Sequence, residues 1–208
     1  KTDDGGQSWQ VISPDLTLNR KDHQQNSGGI AVDNLMTFDG ATLFAIEESP
    51  LEAGLIWTGS NDGQIQLSRN GGATWQNMTQ NIPNLPPWGT VSSIHPSKYT
   101  KGTAYIAIDL HQMGDFGTYL YKTSDYGMHW ESIVGDVPQS VHSFAHVLKE
   151  DPKKEGMLYL GLDNSLLISI DDGVHWMPLK NNLPPAPIYW LEVQENYDDL
   201  VVSTYGRG

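Results

Sequence analysis

Cysteine is absent from this 208-residue chain, so neither a disulfide scaffold nor a thiolate metal site can organise it. Absent too is any apolar run approaching the ~20 residues of a membrane-crossing helix. Basic residues are few: 12 Lys and Arg stand against 25 Asp and Glu, a net charge of −13. Nucleic acid and anionic lipid both require a basic footprint, and this balance argues against either as partner. Charged residues make up only 18% of the chain, beside 7 Trp and 9 Tyr; a disordered acidic tail has the reverse composition. No window of a dozen residues carries a helical period. Turn-forming residues are plentiful, with 21 Gly and 12 Pro. The composition is that of an aromatic-rich, turn-rich globular chain of one domain or two small ones.

Four copies of one octet, Ser/Thr-x-Asx-x-Gly-x-x-Trp, run through the sequence. They are Thr2-Asp3-Asp4-Gly5-Gly6-Gln7-Ser8-Trp9, Ser68-Arg69-Asn70-Gly71-Gly72-Ala73-Thr74-Trp75, Thr123-Ser124-Asp125-Tyr126-Gly127-Met128-His129-Trp130 and Ser169-Ile170-Asp171-Asp172-Gly173-Val174-His175-Trp176. The tryptophans lie 66, 55 and 46 residues apart, spacings that fit propeller blades with variable insertions. Each octet is expected to be a hairpin tip. The Asx oxygen (Asp4, Asn70, Asp125, Asp171) accepts backbone N–H groups two or three residues on. The glycine (Gly6, Gly72, Gly127, Gly173) supplies positive φ. The tryptophan (Trp9, Trp75, Trp130, Trp176) buries its ring between sheets. The Asx residues are therefore assigned a structural role.

Short β-prone runs recur around each octet, and they divide the chain into four-stranded antiparallel blades, strands A to D, with the octet joining C to D. The fold expected is an all-β propeller. Residues 1–15 form a C–D half blade, and whole blades follow at Gly28–Met78, Gly89–Ile133 and Val141–Leu179. Residues 188–208 form an A–B half blade. Because the chain opens inside a motif at Lys1, and because two halves and three wholes make a small ring, we expect an open arc of a longer propeller or one completed by a partner.

The octets resemble the Asp-box, or bacterial neuraminidase repeat, of sialidases, sortilin-type receptors and xyloglucan-cleaving glycoside hydrolases. Over nearly its whole length the chain looks like the large secreted bacterial repeat propellers labelled glycosyl hydrolase or sortilin-like. Val11-Ile12-Ser13-Pro14-Asp15-Leu16-Thr17, Glu48-Ser49-Pro50-Leu51-Glu52-Ala53-Gly54, Tyr119-Leu120-Tyr121-Lys122-Thr123-Ser124-Asp125-Tyr126-Gly127, Glu150-Asp151-Pro152-Lys153-Lys154-Glu155-Gly156 and Val202-Ser203-Thr204-Tyr205-Gly206-Arg207-Gly208 carry that likeness. It implies an extracytoplasmic location and further aromatic strand sequence after Gly208. Fold transfers across such a resemblance far better than chemistry does.

With strand A innermost, as in the architecture it resembles, the chain has two faces. Glu47, Glu48 and Glu150 fall toward the octet face. The opposite face receives Asp62, Asp109, His111, Asp115, Asp163, Tyr205 and Arg207 from B–C connections. The D–A connections add Trp88, His142, Tyr189 and Trp190. Asp109 and Asp163 are the candidate catalytic pair, because a glycosidase needs two carboxyls about 5–5.5 Å or about 6.5–9.5 Å apart. Trp88 or Trp190 would then stack on sugar. The competing reading makes these aspartates turn formers at strand exits. Residues 108–116 form the longest B–C excursion, the kind of loop on which function sits. The segment Leu16–Thr37 overhangs this face as a lid, a partner contact or a packed insertion.

Arg20, Arg69 and Arg207 are too few and too scattered for a sialidase carboxylate clamp, and no Gly-x-Ser-x-Gly is present. His129 and His175 are octet turn positions, while His95 and His146 lie on strand A as packed or surface residues. His111 with Asp109 and Asp115 could bind a metal, but a His-x-x-x-Asp spacing in a loop is weak evidence, and no metal or cofactor is expected. The leading expectation is a non-catalytic scaffold whose face binds protein or glycan. The alternatives are a glycoside hydrolase completed by further blades, and a structural subunit whose open edges pair with partner strands.

Overall fold

The computed structural model of the chain describes residues 1–24, 41–180 and 182–206. Among them, antiparallel strands follow one another in chain order. The first blade comprises β1 (Leu43–Glu48), β2 (Ile56–Ser60), β3 (Ile65–Ser68) and β4 (Gln76–Asn77). The second comprises β5 (Thr90–Pro96), β6 (Ala104–Asp109), β7 (Tyr119–Thr123) and β8 (Glu131–Ser132). The third comprises β9 (Ala145–Glu150), β10 (Leu158–Leu162), β11 (Leu166–Ser169) and β12 (Met177–Pro178). A two-stranded sheet, β13 (Ile188–Gln194) and β14 (Asp199–Thr204), comes last. No helix among the described residues is long and apolar enough to cross a membrane.

The sheets fan from a common axis. β1 packs on β5, β5 on β9 and β9 on β13, so the first strand of each sheet is the innermost. Three apolar cores fill the wedges between sheets. Trp57, Ile65, Met78, Val91, Ile106 and Trp130 fill the first, and Tyr105, Leu120, Leu148, Leu160 and Trp176 the second. Val147, Tyr159, Ile188 and Leu191 fill the third. Because β6 and β10 are covered on both faces, their residues are buried nearly without alternation, as expected of an internal sheet. Each large apolar side chain so buried contributes roughly 1.5–3 kcal/mol.

The octets form the hairpin tips, with bonding that differs from expectation in one respect. The Asx oxygen reaches four residues on, not two or three: Asp4, Asn70, Asp125 and Asp171 Oδ1 accept the N–H of Ser8, Thr74, His129 and His175, each at 2.9 Å. The leading hydroxyl does the parallel work. Thr2, Ser68, Thr123 and Ser169 accept the N–H of Gly6, Gly72, Gly127 and Gly173 at 2.8–2.9 Å. Two side-chain acceptors thus close each loop, and the Asx oxygens are engaged in holding the turn.

The octet glycine also permits a close approach between blades. Gly173 has φ +86°, and a Cβ there would lie 2.8 Å from Ile133 Cβ and 2.9 Å from Ile133 O, on the preceding blade. Trp176 Nε1 donates to the same Ile133 O at 3.1 Å, and Trp75 Nε1 donates to Ile12 O at 3.1 Å. Trp130 and Trp176 are buried as anticipated, whereas Trp9 is 73% exposed. No neighbouring sheet covers Trp9 among the described residues. Residues 1–15 carry no assigned strand, but Lys1 and Gln10 exchange backbone hydrogen bonds at 2.7 Å in both directions.

Gly173→Ala combines left-handed backbone strain with overpacking, and should destabilise the fold by about 2–4 kcal/mol. Gly71→Ala, with φ +69° and open space around it, should cost about 1 kcal/mol. Denaturant midpoints for the two variants check the order; equal losses would contradict the inter-blade contact.

Candidate functional site

One backbone irregularity recurs in every inner strand. Register shifts interrupt β1 between Leu43 and Ala45, β5 between Val91 and Ser93, and β13 between Ile188 and Trp190. In the β9–β10 pair, Ala145 and Val147 face Leu162 and Gly161, so His146 is the extra residue. A bulge inserts one unpaired residue and re-aims its side chain. The four bulge residues, Phe44, Ser92, His146 and Tyr189, all line a single cavity of about 280 Å3. Thr90, Asp109, His111 and Gln112 complete its wall. The axial site is thus built from one equivalent position per sheet, plus the excursion after β6.

Rings pack in series across this cavity. His146 stacks on Tyr189 with centroids 4.1 Å apart and meets Phe144 edge-on at 5.2 Å. Phe144 in turn stacks on His111 at 4.5 Å, and Phe116 leans on it at 6.1 Å. Tyr205 lies 5.9 Å from Tyr189. Two carboxylates hold the imidazoles. Both oxygens of Asp109 lie 2.7 Å from His111 Nδ1, and Asp109 Oδ1 also accepts the His111 N–H at 2.9 Å. Asp163 lies 2.9 Å from His142 Nδ1 and 3.4 Å from His146 Nε2.

Burial dominates the electrostatics of His146, depressing its pKa below the ordinary value although Asp109 and Asp163 pull the other way. The hydroxyl of Tyr189 is shifted upward, first by burial and then by the negative charge of Asp163 and Asp109. Both carboxylates are therefore felt at the bulge layer.

Of the candidate residues, Asp109, His111, His142, Asp163, Tyr189 and Tyr205 come together here. Others do not. Asp62 is buried, taking Ser60 Oγ at 2.5 Å and the N–H groups of Leu18, Asn19 and Ala41 at 2.9–3.3 Å. It fastens the preceding segment and presents nothing to a ligand. Asp115 closes its own loop through Gly117 N–H and Tyr119 OH, at 2.9 and 2.7 Å. Trp88 stacks on His23 at 4.2 Å. Trp190 lies deeper along the axis, with Lys149 Nζ 4.4 Å from its ring. Arg207 lies outside the described residues, as does most of the Leu16–Thr37 segment. Phe44, Ser92 and Phe144 escape the sequence reading, Gln112 enters it only as part of the 108–116 excursion, and His146 enters it as a packed or surface residue of strand A, not as a site residue. Aligning the strand-A starts Leu43-Phe44-Ala45, Val91-Ser92-Ser93, Ala145-His146-Val147 and Ile188-Tyr189-Trp190 is the signal that finds most of them.

Fold and site define the chain as a β-propeller protein. No family model matches its sequence, and no curated protein matches it. Among the solved structures that share the fold are three with a TM-score of 0.56 and 14% identity. YCF48 bound to a D1 peptide is covered over 47% of its length by 79% of this chain. The GH74 enzyme of Niastella koreensis is covered over 26% by 81%, and the extracellular domain of the BT4673 one-component system of B. thetaiotaomicron over 20% by 78%. The chain thus spans less than half the length of each. At that identity the likeness establishes the propeller and nothing finer.

A pH titration followed by NMR should place the His146 midpoint below about 6.5, because burial disfavours the imidazolium. His175, hydrogen-bonded to Asp171, should titrate above it. The unfolded chain protonates first at residue 146, so that histidine's contribution to stability is lost as pH falls from about 6.5 toward the folded midpoint. Midpoints in the opposite order would contradict the site geometry.

Proposed function

We propose that the chain is a non-catalytic binding module of an extracytoplasmic Asp-box propeller protein, with the axial cavity as its ligand face for protein or glycan. The carrying observation is the convergence of Phe44, Ser92, His146 and Tyr189, one bulge residue per sheet, on a single cavity. Bulges at equivalent positions re-aim side chains without disturbing the ladder on either side. The octets supply rigidity on the far face and, with their acceptors engaged by backbone, supply no chemistry. Support for protein binding comes from YCF48, which shares the fold and is bound to a peptide. An extracytoplasmic setting is supported by the secreted repeat proteins that the octets resemble and by BT4673, whose matching part is an extracellular domain.

A second reading, glycoside hydrolysis, is favoured by one observation: Asp109 and Asp163 both belong to the axial cluster, beside the half-exposed ring of Tyr189. GH74 enzymes share the fold. The two readings part on turnover. Incubation of the chain with xyloglucan and a panel of β-glucans should release no reducing ends. Release that disappears in Asp109→Asn and Asp163→Asn variants would replace the binding reading with the hydrolytic one.

A further inference from the structure

We propose that the axial cavity receives a cationic side chain, an ammonium or guanidinium, presented by a peptide partner. This rests on the axial-face reading and assigns the chemistry of its ligand. Phe44 and Tyr189 are 48% and 49% exposed, and both line the cavity. Tyr189 is held in place from behind by the His146 stack. Such rings attract a cation to their faces, by about 0.5–2 kcal/mol each depending on desolvation. Asp109 lines the same cavity, and Asp163 lies behind His146. None of the described lining residues is Lys or Arg.

Elsewhere the chain pairs rings and carboxylates with cations of its own. Arg69 lies 3.8 Å over the Tyr126 ring, whose hydroxyl donates to Glu52 at 3.0 Å. Lys149 lies 4.4 Å from the Trp190 ring and 3.5 Å from Glu192. At the axial cavity the rings and the carboxylates are present, and the described wall brings them imidazoles but no ammonium or guanidinium. The net charge of −13 attracts a basic partner to the chain as a whole. A neutral sugar would use the ring faces and leave the two carboxylate charges to the imidazoles of His111, His142 and His146 alone.

The test titrates the full chain with a blocked Gly-Arg-Gly peptide, the same peptide with citrulline replacing arginine, and a xyloglucan heptasaccharide. Histidine-selective NMR reads the resonances of His111 and His146. The arginine peptide should shift both, bind about tenfold more tightly than the citrulline peptide, and weaken in 0.5 M salt. Asp109→Asn should lose about tenfold of that affinity, as should Tyr189→Ala, whose half-exposed site keeps folding intact. Equal binding of the two peptides would overturn the cationic ligand and leave the axial face as a peptide site. A response to the heptasaccharide alone would overturn it in favour of glycan. No perturbation of either histidine by any probe would remove the axial-face reading as well.

Discussion

The molecule depends on one extra residue in each inner strand. A strand paired without interruption sends successive side chains to opposite faces of its sheet, into the two neighbouring wedges. In a propeller that leaves the axis to backbone. The shift at Phe44, Ser92, His146 and Tyr189 breaks this alternation once per sheet. It turns a position that would have joined an inter-blade core into a wall of the central cavity. The core residues on either side, such as Ala145 and Val147, remain fully buried.

That device works only if the sheets are held at a fixed separation, and the octets set it from the periphery. A glycine with no Cβ lets the turn press on the preceding blade, and the indole N–H then ties the two together at Ile12 and Ile133. Deeper along the axis lies a second, charged layer three residues beyond the bulges: Glu47, His95, Lys149 and Glu192. Burial, and secondarily Lys149, push His95 down to about 3. Burial raises Glu47, with Lys149 opposing and Glu192 reinforcing the rise. Glu150, at the end of β9, is buried and turned away to Ser97 and Tyr105, at 2.6 and 3.2 Å. The axis is therefore aromatic at one level and charged at the next.

Most of the architecture was legible in the sequence. The octets locate the C–D turns of the three four-stranded sheets, and the β-prone runs around them are strands. The site was half legible. Asp109 and His111 stand out in the longest B–C excursion, and Asp163 as a carboxylate at the equivalent strand exit one blade on. Asp62 looks the same in sequence, yet folds inward onto the N–H groups of Leu18, Asn19 and Ala41, a long-range contact that no local pattern announces. Phe44 was missed, and His146 was read only as a packed or surface residue, because a bulge has no composition of its own. Within strand A they look like ordinary alternating positions, and only comparison across blades separates them. Trp9 marks the opposite limit: its octet is intact, but the sheet that would cover it is not among the described neighbours.

The central claim is that side chains from successive blades converge on one axial cluster. Ring-to-ring NOE contacts of His146 test it most directly, since that residue touches elements from two sheets and the loop between blades. The account predicts contacts from His146 to both Tyr189 and Phe144, together with a contact between His111 and Phe144. Contacts from His146 confined to its own sheet, with Tyr189 silent, would contradict it.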